Sequence, residues 1–171
     1  ITQWVKRFDS VSVREKRGAE LIQTLTGKKV DLVCDPVVLL DKEEWNKLAV
    51  KPKLKKPYIL VYFLDNNHGS RDLTEYLRKT TGYEVVIFNE YIRDFFKRYH
   101  KAYSASPEEF VGLFMNASLI YTNSFHGTAF ATVFERPFIS AIAPDQENVR
   151  NNNDSRKIDY LKKIGLENRL Y

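Results

Sequence analysis

One apolar segment restricts the fold of this chain more than any other feature. It is Tyr58–Leu64, with the sequence YILVYFL. Successive side chains of a strand point to opposite faces, so a strand formed here is apolar on both sides. Such a strand is stable only where both faces are covered, as in the parallel sheet of an α/β protein. The segment therefore predicts a buried strand with helices on both sides of its sheet.

The rest of the chain alternates between strand and helix patterns, as this fold requires. Short β-branched or apolar runs predict further strands at 10–14, 31–35, 84–88, 118–122 and 138–143. Helical spacing and capping signals predict helices at 15–26, from 41 onward, and at 71–79, 107–116, 127–134 and 154–164. The aromatic and basic segment 91–103 is left unassigned. We predict an α/β fold, a Rossmann-like parallel sheet with helices on both faces, in a single domain of residues 1–171.

The charge of the chain does not by itself identify a partner. A net charge of +5 suits nucleic acid, acidic glycans or phosphorylated small molecules. Much of the excess lies in Lys51–Lys56, KPKLKK, which contains Pro52 and precedes Pro57 and is typical of a solvated linker. Aromatic residues fall inside apolar runs instead of alternating with basic ones, so no nucleic-acid partner is predicted.

Cysteine and histidine are too sparse to indicate a disulfide or a metal. The single cysteine, Cys34, lies in an apolar segment and is predicted to be a small buried residue. Its lack of a partner favours a reducing, cytoplasmic location, and no transmembrane segment or secretory signal is found. The three histidines are widely spaced, and a turn explains Asp65–Asn67 as well as a cation would. Because the first residue is Ile1, we expect the natural chain to be longer.

The loop after the predicted strand at 118–122 is the strongest candidate for a site. In open α/β sheets, ligands bind at the carboxyl ends of the strands. Here Asn123, Ser124 and His126 precede a helix predicted to begin at Gly127, whose N-terminus favours an anion. The glycine would let a ligand approach the backbone, and a histidine titrates near neutral pH. Alternatively, Ser124 caps the helix and His126 is an ordinary turn residue. The residues alone leave both open.

Five segments together point to a known family. They are FDSVSVREKRGAELIQTLTG, DLVCDPVVLL, ILVYFL, SPEEFVGLFMNASLIYTNSFHGTAFATVFERPFIS and NNDSRKIDYLKKIGLENRLY. In this order they resemble the polysaccharide pyruvyl transferases, from about Phe8 to Tyr171. The resemblance implies one half of a glycosyltransferase-like fold in which two Rossmann-like domains face a cleft. The chain would be the C-terminal half of a longer transferase.

The same resemblance implies an activity. A pyruvyl group would pass from phosphoenolpyruvate, a co-substrate, to a pair of sugar hydroxyls on a bacterial cell-surface or exopolysaccharide precursor. No cofactor is implied. The partners would be phosphoenolpyruvate, a sugar or lipid-linked oligosaccharide acceptor and the missing N-terminal domain. The location would be the cytoplasm or the inner face of the membrane. The isolated fragment is expected to be inactive, because half of the cleft is absent.

The resemblance also assigns roles to individual residues. His126 is implied to contact the donor and to act as an acid catalyst. Arg14 is implied to bind the donor, although an exposed ion pair with a helix residue would also explain it. Asp35 would orient a basic group or cap a turn before Pro36. The remaining candidates are Ser124, Gly127 and Thr128 at the donor, and Asn123, Asn153 and Arg156 along the cleft, with a helix-start role as the alternative for Asn153 and Arg156.

One position departs from the family pattern. The motif of the resembled family reads Arg-Leu-His, whereas Ser124 stands two residues before His126 here. A serine cannot replace the bidentate contact that a guanidinium makes with phosphate or carboxylate. Two alternatives therefore stay open. One is half of a sugar-nucleotide-dependent glycosyltransferase, and the other is a non-catalytic domain that binds a glycan or an anion.

Overall fold

The computed structural model describes residues 2–64, 68–88, 99–142 and 152–171, except for the side chains of residues 68–70 and 152–153. The chain divides into two compact units, Ile1–Leu39 and Leu40–Tyr171. The expectation that residues 1–171 form a single domain, the C-terminal half of a longer transferase, stays a prediction.

The first unit is built on one β-α-β repeat. Its two strands pair in parallel, with Ser12 opposite Asp31 and Val13 opposite Leu32. The helix between them ends at Gly27, which has a φ of 72° and is the predicted C-terminal stop. Both strands are shorter than the predicted ranges 10–14 and 31–35. The elements are α1 (Thr2–Val5), β1 (Ser12–Val13), α2 (Lys16–Thr26), β2 (Asp31–Leu32) and a 3-10 turn, Pro36–Val38.

The second unit contains a parallel sheet of five strands. Its elements are α3 (Lys42–Leu48), β3 (Tyr58–Tyr62), α4 (His68–Thr81), β4 (Glu84–Ile87), β5 (His100–Lys101), α5 (Pro107–Asn116), β6 (Leu119–Thr122), α6 (Phe125–Val133), β7 (Phe138–Ser140), α7 (Asn152–Lys163) and a 3-10 turn, Glu167–Arg169. The strand order is β5-β4-β3-β6-β7, and every pair is parallel. The predicted α/β, Rossmann-like class is confirmed.

Helices cover both faces of this sheet, as the segment YILVYFL predicts. On one face, Ile59 and Val61 of β3 are fully buried in a cluster that α4 covers through Leu73 and Leu77. On the other face, the ring of Tyr62 packs edge to face on Phe110 and Phe114 of α5, at centroid distances of 5.5 and 5.8 Å. The central strand therefore lies in the middle of an aromatic and aliphatic core.

Several elements differ from the predicted ones. The strand β5 lies in the unassigned segment 91–103, of which residues 91–98 fall outside the described part of the chain. The helix predicted at 71–79 is α4, which begins three residues earlier, at His68. Cys34 is exposed and not buried as predicted, because it follows β2 in a unit that buries little. Of the helices described, none is long and apolar enough to cross a membrane.

Candidate functional site

The helix that carries His126 begins earlier than predicted. Ser124 is its N-cap, with its hydroxyl accepting the N–H of Gly127 at 3.4 Å and its carbonyl accepting that of Thr128 at 3.0 Å. The first helical residue is therefore Phe125, and His126 lies in the first turn of α6 instead of the preceding loop. The interpretation of Ser124 as a helix cap is confirmed.

Gly127 serves close packing between a helix and a strand. It is buried, and a methyl group added there would lie 2.4 Å from Thr122 Oγ1. Thr122 in turn donates its hydroxyl to the carbonyl of Tyr62 at 2.6 Å and accepts the N–H of Ser124 at 3.0 Å. The predicted approach of a ligand to the backbone at Gly127 stays a prediction. The glycine lets α6 sit directly on the end of β6.

Thr128 completes a buried hydroxyl network beneath the helix N-terminus. Its hydroxyl donates to the carbonyl of Ser124 at 3.0 Å and bonds Ser140 Oγ at 2.9 Å. Thr128 and Ser140 are fully buried, and Ser124 is 1% exposed. Burial also raises the pKa of the Tyr62 hydroxyl, while a hydrogen bond with Ser124 lowers it. These groups fix the direction of α6, and the donor contacts expected of Ser124, Gly127 and Thr128 stay a prediction.

His126 and Arg156 both contact one aromatic ring, that of Phe125. The exposed imidazole of His126 contacts the ring of Phe125 edge to face at 5.6 Å. The guanidinium carbon of Arg156, on α7, lies 5.4 Å from the centre of the same ring, in a cation–π contact. Tyr160, one turn further along α7, contacts Phe125 at 5.6 Å and holds the two helices together. The fold thus brings together two residues that the sequence places 30 positions apart.

Asn123 connects the ends of neighbouring strands. Its Oδ1 accepts the N–H of Leu64, just after β3, at 2.9 Å. Its carbonyl oxygen accepts a hydrogen bond from Lys157 Nζ at 2.8 Å. Asn123 is therefore part of the frame of the site.

Lys157 is the residue that sequence reasoning missed. Its side chain is fully buried, donates to the carbonyls of Asn123 and Ala141, and pairs with Asp154 at 2.8 Å. A signal for it does exist in the sequence. Lys157 lies four residues before the buried Leu161, and so on the buried stripe of α7, where a lysine needs a partner.

Arg14 and Asp35 form an ion pair within the first unit. Arg14 follows β1 and is 38% exposed, while Asp35 follows β2 and its side chain is 3% exposed. Asp35 also accepts the N–H of Val37 at 3.0 Å, so it both orients a basic group and caps the turn, the two roles predicted as alternatives. Arg14 lines an open groove of about 830 Å³ whose walls also include Glu15 and Cys34.

Other predicted positions fall partly outside the description. The side chain of Asn153 and residues 65–67 belong to the parts of the chain that the structure does not describe. Within the described ranges, no group of three histidine, cysteine, aspartate or glutamate side chains is placed to hold a metal ion.

Comparison with known proteins places the chain in a family. No curated protein sequence gives a significant match. A model of the polysaccharide pyruvyl transferase family matches residues 1–146, a range that includes Arg14, Asp35 and the His126 motif and ends before α7. The chain therefore belongs to the polysaccharide pyruvyl transferase family.

Proposed function

We propose that this chain is part of a transferase that moves a pyruvyl group from phosphoenolpyruvate to a pair of sugar hydroxyls. Family membership indicates a transferase with a sugar acceptor. The observation that carries the finer proposal is the pair of His126 and Arg156, which both contact the ring of Phe125 at the N-terminus of a buried helix. This arrangement combines a proton donor, a guanidinium and a helix dipole at the carboxyl end of a parallel strand, where α/β proteins bind ligands.

The charge of phosphoenolpyruvate suits this arrangement. The molecule carries a phosphate and a carboxylate, and a guanidinium binds either of them through two parallel hydrogen bonds. The N-terminus of α6 adds a favourable field for the same anion. Arg156 would therefore supply the guanidinium that Ser124, a buried cap, does not provide. Arg14 is a second candidate for a donor anion, because part of its side chain stays exposed beside Asp35.

The chemistry requires one proton donor close to the donor molecule. His126 would protonate carbon three of phosphoenolpyruvate while one sugar hydroxyl attacks carbon two. The phosphate then leaves with its C–O bond electrons, and the second hydroxyl adds to the same carbon to give the ketal. Two hydroxyl protons are released in total. One replaces the proton that His126 gave to carbon three, and the other leaves with the phosphate.

We further propose that the acceptor is a bacterial cell-surface or exopolysaccharide precursor, free or linked to a lipid. The natural chain would be longer, with an N-terminal domain that completes the cleft, and would act in the cytoplasm or at the inner face of the membrane. Neither a metal nor a cofactor is needed for the steps above. Measurable pyruvyl transfer by residues 1–171 alone would contradict the two-domain part of the proposal.

Phosphorus NMR of the full-length protein tests the function directly. The protein is mixed with phosphoenolpyruvate and a panel of sugar and lipid-linked acceptors, and we expect inorganic phosphate to appear only when an acceptor is present. Release of a nucleoside diphosphate from a sugar nucleotide would instead select the glycosyltransferase alternative. Binding of phosphoenolpyruvate without any turnover would favour a non-catalytic anion-binding domain.

Two histidine substitutions, compared with each other, separate a catalytic role of His126 from general effects of substitution. His126→Ala should lower turnover at least ~100-fold, which is within the range for acid–base groups. His100→Ala is the matched control, since His100 is exposed on β5 and pairs with Glu84 at 3.0 Å. Unchanged turnover in a folded His126→Ala protein would remove His126 from the mechanism.

A further inference from the structure

The buried ammonium of Lys157 is the least expected group in the second unit. It is fully buried, and its contacts include the carbonyls of Asn123 and Ala141 and the carboxylate of Asp154. A buried charge is costly unless it is paired and hydrogen-bonded. An ammonium has three N–H donors, and these three acceptors match that number.

The acceptors lie at one edge of the sheet. Asn123 is the first residue after β6, and Ala141 is the first after β7. The side chain of Asn123 extends the connection to Leu64, just beyond β3. Because β3, β6 and β7 are neighbours, one polar network crosses three adjacent strand ends. This is the edge where the donor is proposed to bind.

Lys157 is connected to both proposed donor contacts. Through Asn123 it fixes the peptide that leads into Ser124, the cap of the helix that carries His126. It is also the neighbour of Arg156 on α7, so the position of the ammonium sets where that helix places its guanidinium. A loss of the anchor would let His126 and Arg156 move relative to each other.

We propose that Lys157 is a positioning residue for the donor site, holding His126 and Arg156 in register without touching the substrate. The proposal rests on the proposed function for the identity of the ligand, phosphoenolpyruvate. Methionine has a similar length but no donors, so it would leave the two carbonyls and Asp154 without their shared partner. Arginine is larger and planar and does not reproduce three divergent donors.

The experiment compares three variants of the full-length protein with the wild type. Lys157→Met removes the anchor. Lys162→Met replaces an exposed lysine on the same helix, and Leu161→Ala destabilises α7 by removing a buried side chain one turn away. Each variant is studied below its own unfolding transition. The readouts are hydrogen exchange of the Leu64 amide, the Kd for phosphoenolpyruvate, and kcat and KM.

For Lys157→Met we expect Leu64 exchange to be at least ~10-fold faster and donor binding at least ~10-fold weaker, the size of effect of one lost charged hydrogen bond. Lys162→Met and Leu161→Ala should leave the Kd within about twofold of the wild type. A purely structural role predicts the opposite, namely that Leu161→Ala weakens binding as much as Lys157→Met does. That result, or wild-type exchange and affinity in Lys157→Met, would overturn the proposal.

A second variant covers the case in which Lys157→Met does not fold. Asp154→Asn keeps the lysine and both carbonyls but removes the countercharge, and it should weaken donor binding by a smaller factor in the same direction. Unchanged exchange and binding in Asp154→Asn would count against the proposal. If the wild-type protein does not bind phosphoenolpyruvate at all, the proposed function fails, and Leu64 exchange in the variants still decides whether Lys157 is the anchor.

Discussion

The two units of this chain use the same β-α-β pattern but bury it to very different extents. In the second unit, Ile59 and Val61 at the centre of a five-stranded sheet are fully buried. In the first unit, Asp35 is the only buried residue among residues 2–39, and Trp4 and Phe8 are 67% and 62% exposed. Parallel strands need cover on both faces, and two strands with one connecting helix provide too little of it. The comparison shows that burial depends on how many strands assemble.

The difference has an energetic consequence. A unit of 39 residues buries a small fraction of its surface, whereas the larger unit has an extensive core. We therefore expect the stability of the chain to reside in Leu40–Tyr171. The first unit should contribute little to the free energy of unfolding measured on this chain alone.

Removal of a large aromatic ring from each unit should give the largest difference in the free energy of unfolding. Phe114→Ala empties a fully buried position on α5 and should lower the free energy of unfolding by about 3–5 kcal/mol. Trp4→Ala removes an exposed ring and should change it by less than about 0.5 kcal/mol. Urea unfolding followed by circular dichroism measures both. Equal losses would show that the first unit shares the core and would break the comparison.

Alanine substitutions of two helical glycines, one in each unit, should change stability by smaller amounts and in opposite directions. Gly127→Ala forces a methyl group to within 2.4 Å of Thr122 Oγ1 and should cost about 1–3 kcal/mol. Gly18→Ala on α2 meets only ordinary contacts, at 3.7 Å from Val13, and should stabilise by up to about 1 kcal/mol through helix propensity. The thermal unfolding midpoint decides both signs. A neutral Gly127→Ala would contradict the close packing of α6 on β6.

The smallest expected effect is a loss of stability at high pH. Burial, with a smaller contribution from the charge of Tyr171, raises the pKa of Tyr121 to about 12. Because the folded pKa lies above the ordinary tyrosine value of 10.0, this stability is present below pH 10 and is lost as the pH rises toward 12. The first unit contains no tyrosine, so the effect reports on the second unit alone.

Tyr121→Phe should therefore lose less stability than the wild type between about pH 9 and pH 11, with a difference of at most about 1 kcal/mol. Tyr76→Phe serves as the control, because Tyr76 is 64% exposed. Urea midpoints at the two pH values provide the measurement. An identical pH dependence for the wild type and Tyr121→Phe would show that Tyr121 ionises as freely in the folded chain as in the unfolded one.

The second unit was largely predictable because its signals are local and strong. YILVYFL indicates a strand buried on both faces, and the capping box of Ser106 and Glu109 starts α5 as predicted. The first unit was less predictable. Ser-Val-Ser-Val-Arg and Asp-Leu-Val-Cys-Asp show the same local pattern as buried strands, but the pattern does not show how many neighbours a strand will have. The exposure of Cys34 follows from that difference.

The candidate site was predictable in its place but not in its contacts. The order of elements locates His126 at the carboxyl end of a strand, and the structure confirms this. The sequence could not show that Arg156 and His126 contact the same ring, that of Phe125, because a contact between α6 and α7 depends on tertiary packing. Lys157 was missed although its place on the buried stripe of α7 and the nearby Asp154 could have indicated it. Its two carbonyl acceptors could not be predicted, because a backbone group leaves no trace in the sequence.

The central claim is that His126 and Arg156 form one donor site, and the NMR signal of the His126 imidazole tests it most directly. Phosphoenolpyruvate is titrated into the full-length protein, with His126→Ala used to assign the resonance. We expect a saturable shift in the wild type. The apparent affinity for phosphoenolpyruvate should be retained in Arg169→Gln, which changes an arginine of the C-terminal 3-10 turn. It should be at least ~10-fold weaker in Arg156→Gln, because that variant loses a bidentate charged contact. A folded wild-type protein whose His126 signal does not move at saturating phosphoenolpyruvate would contradict the claim.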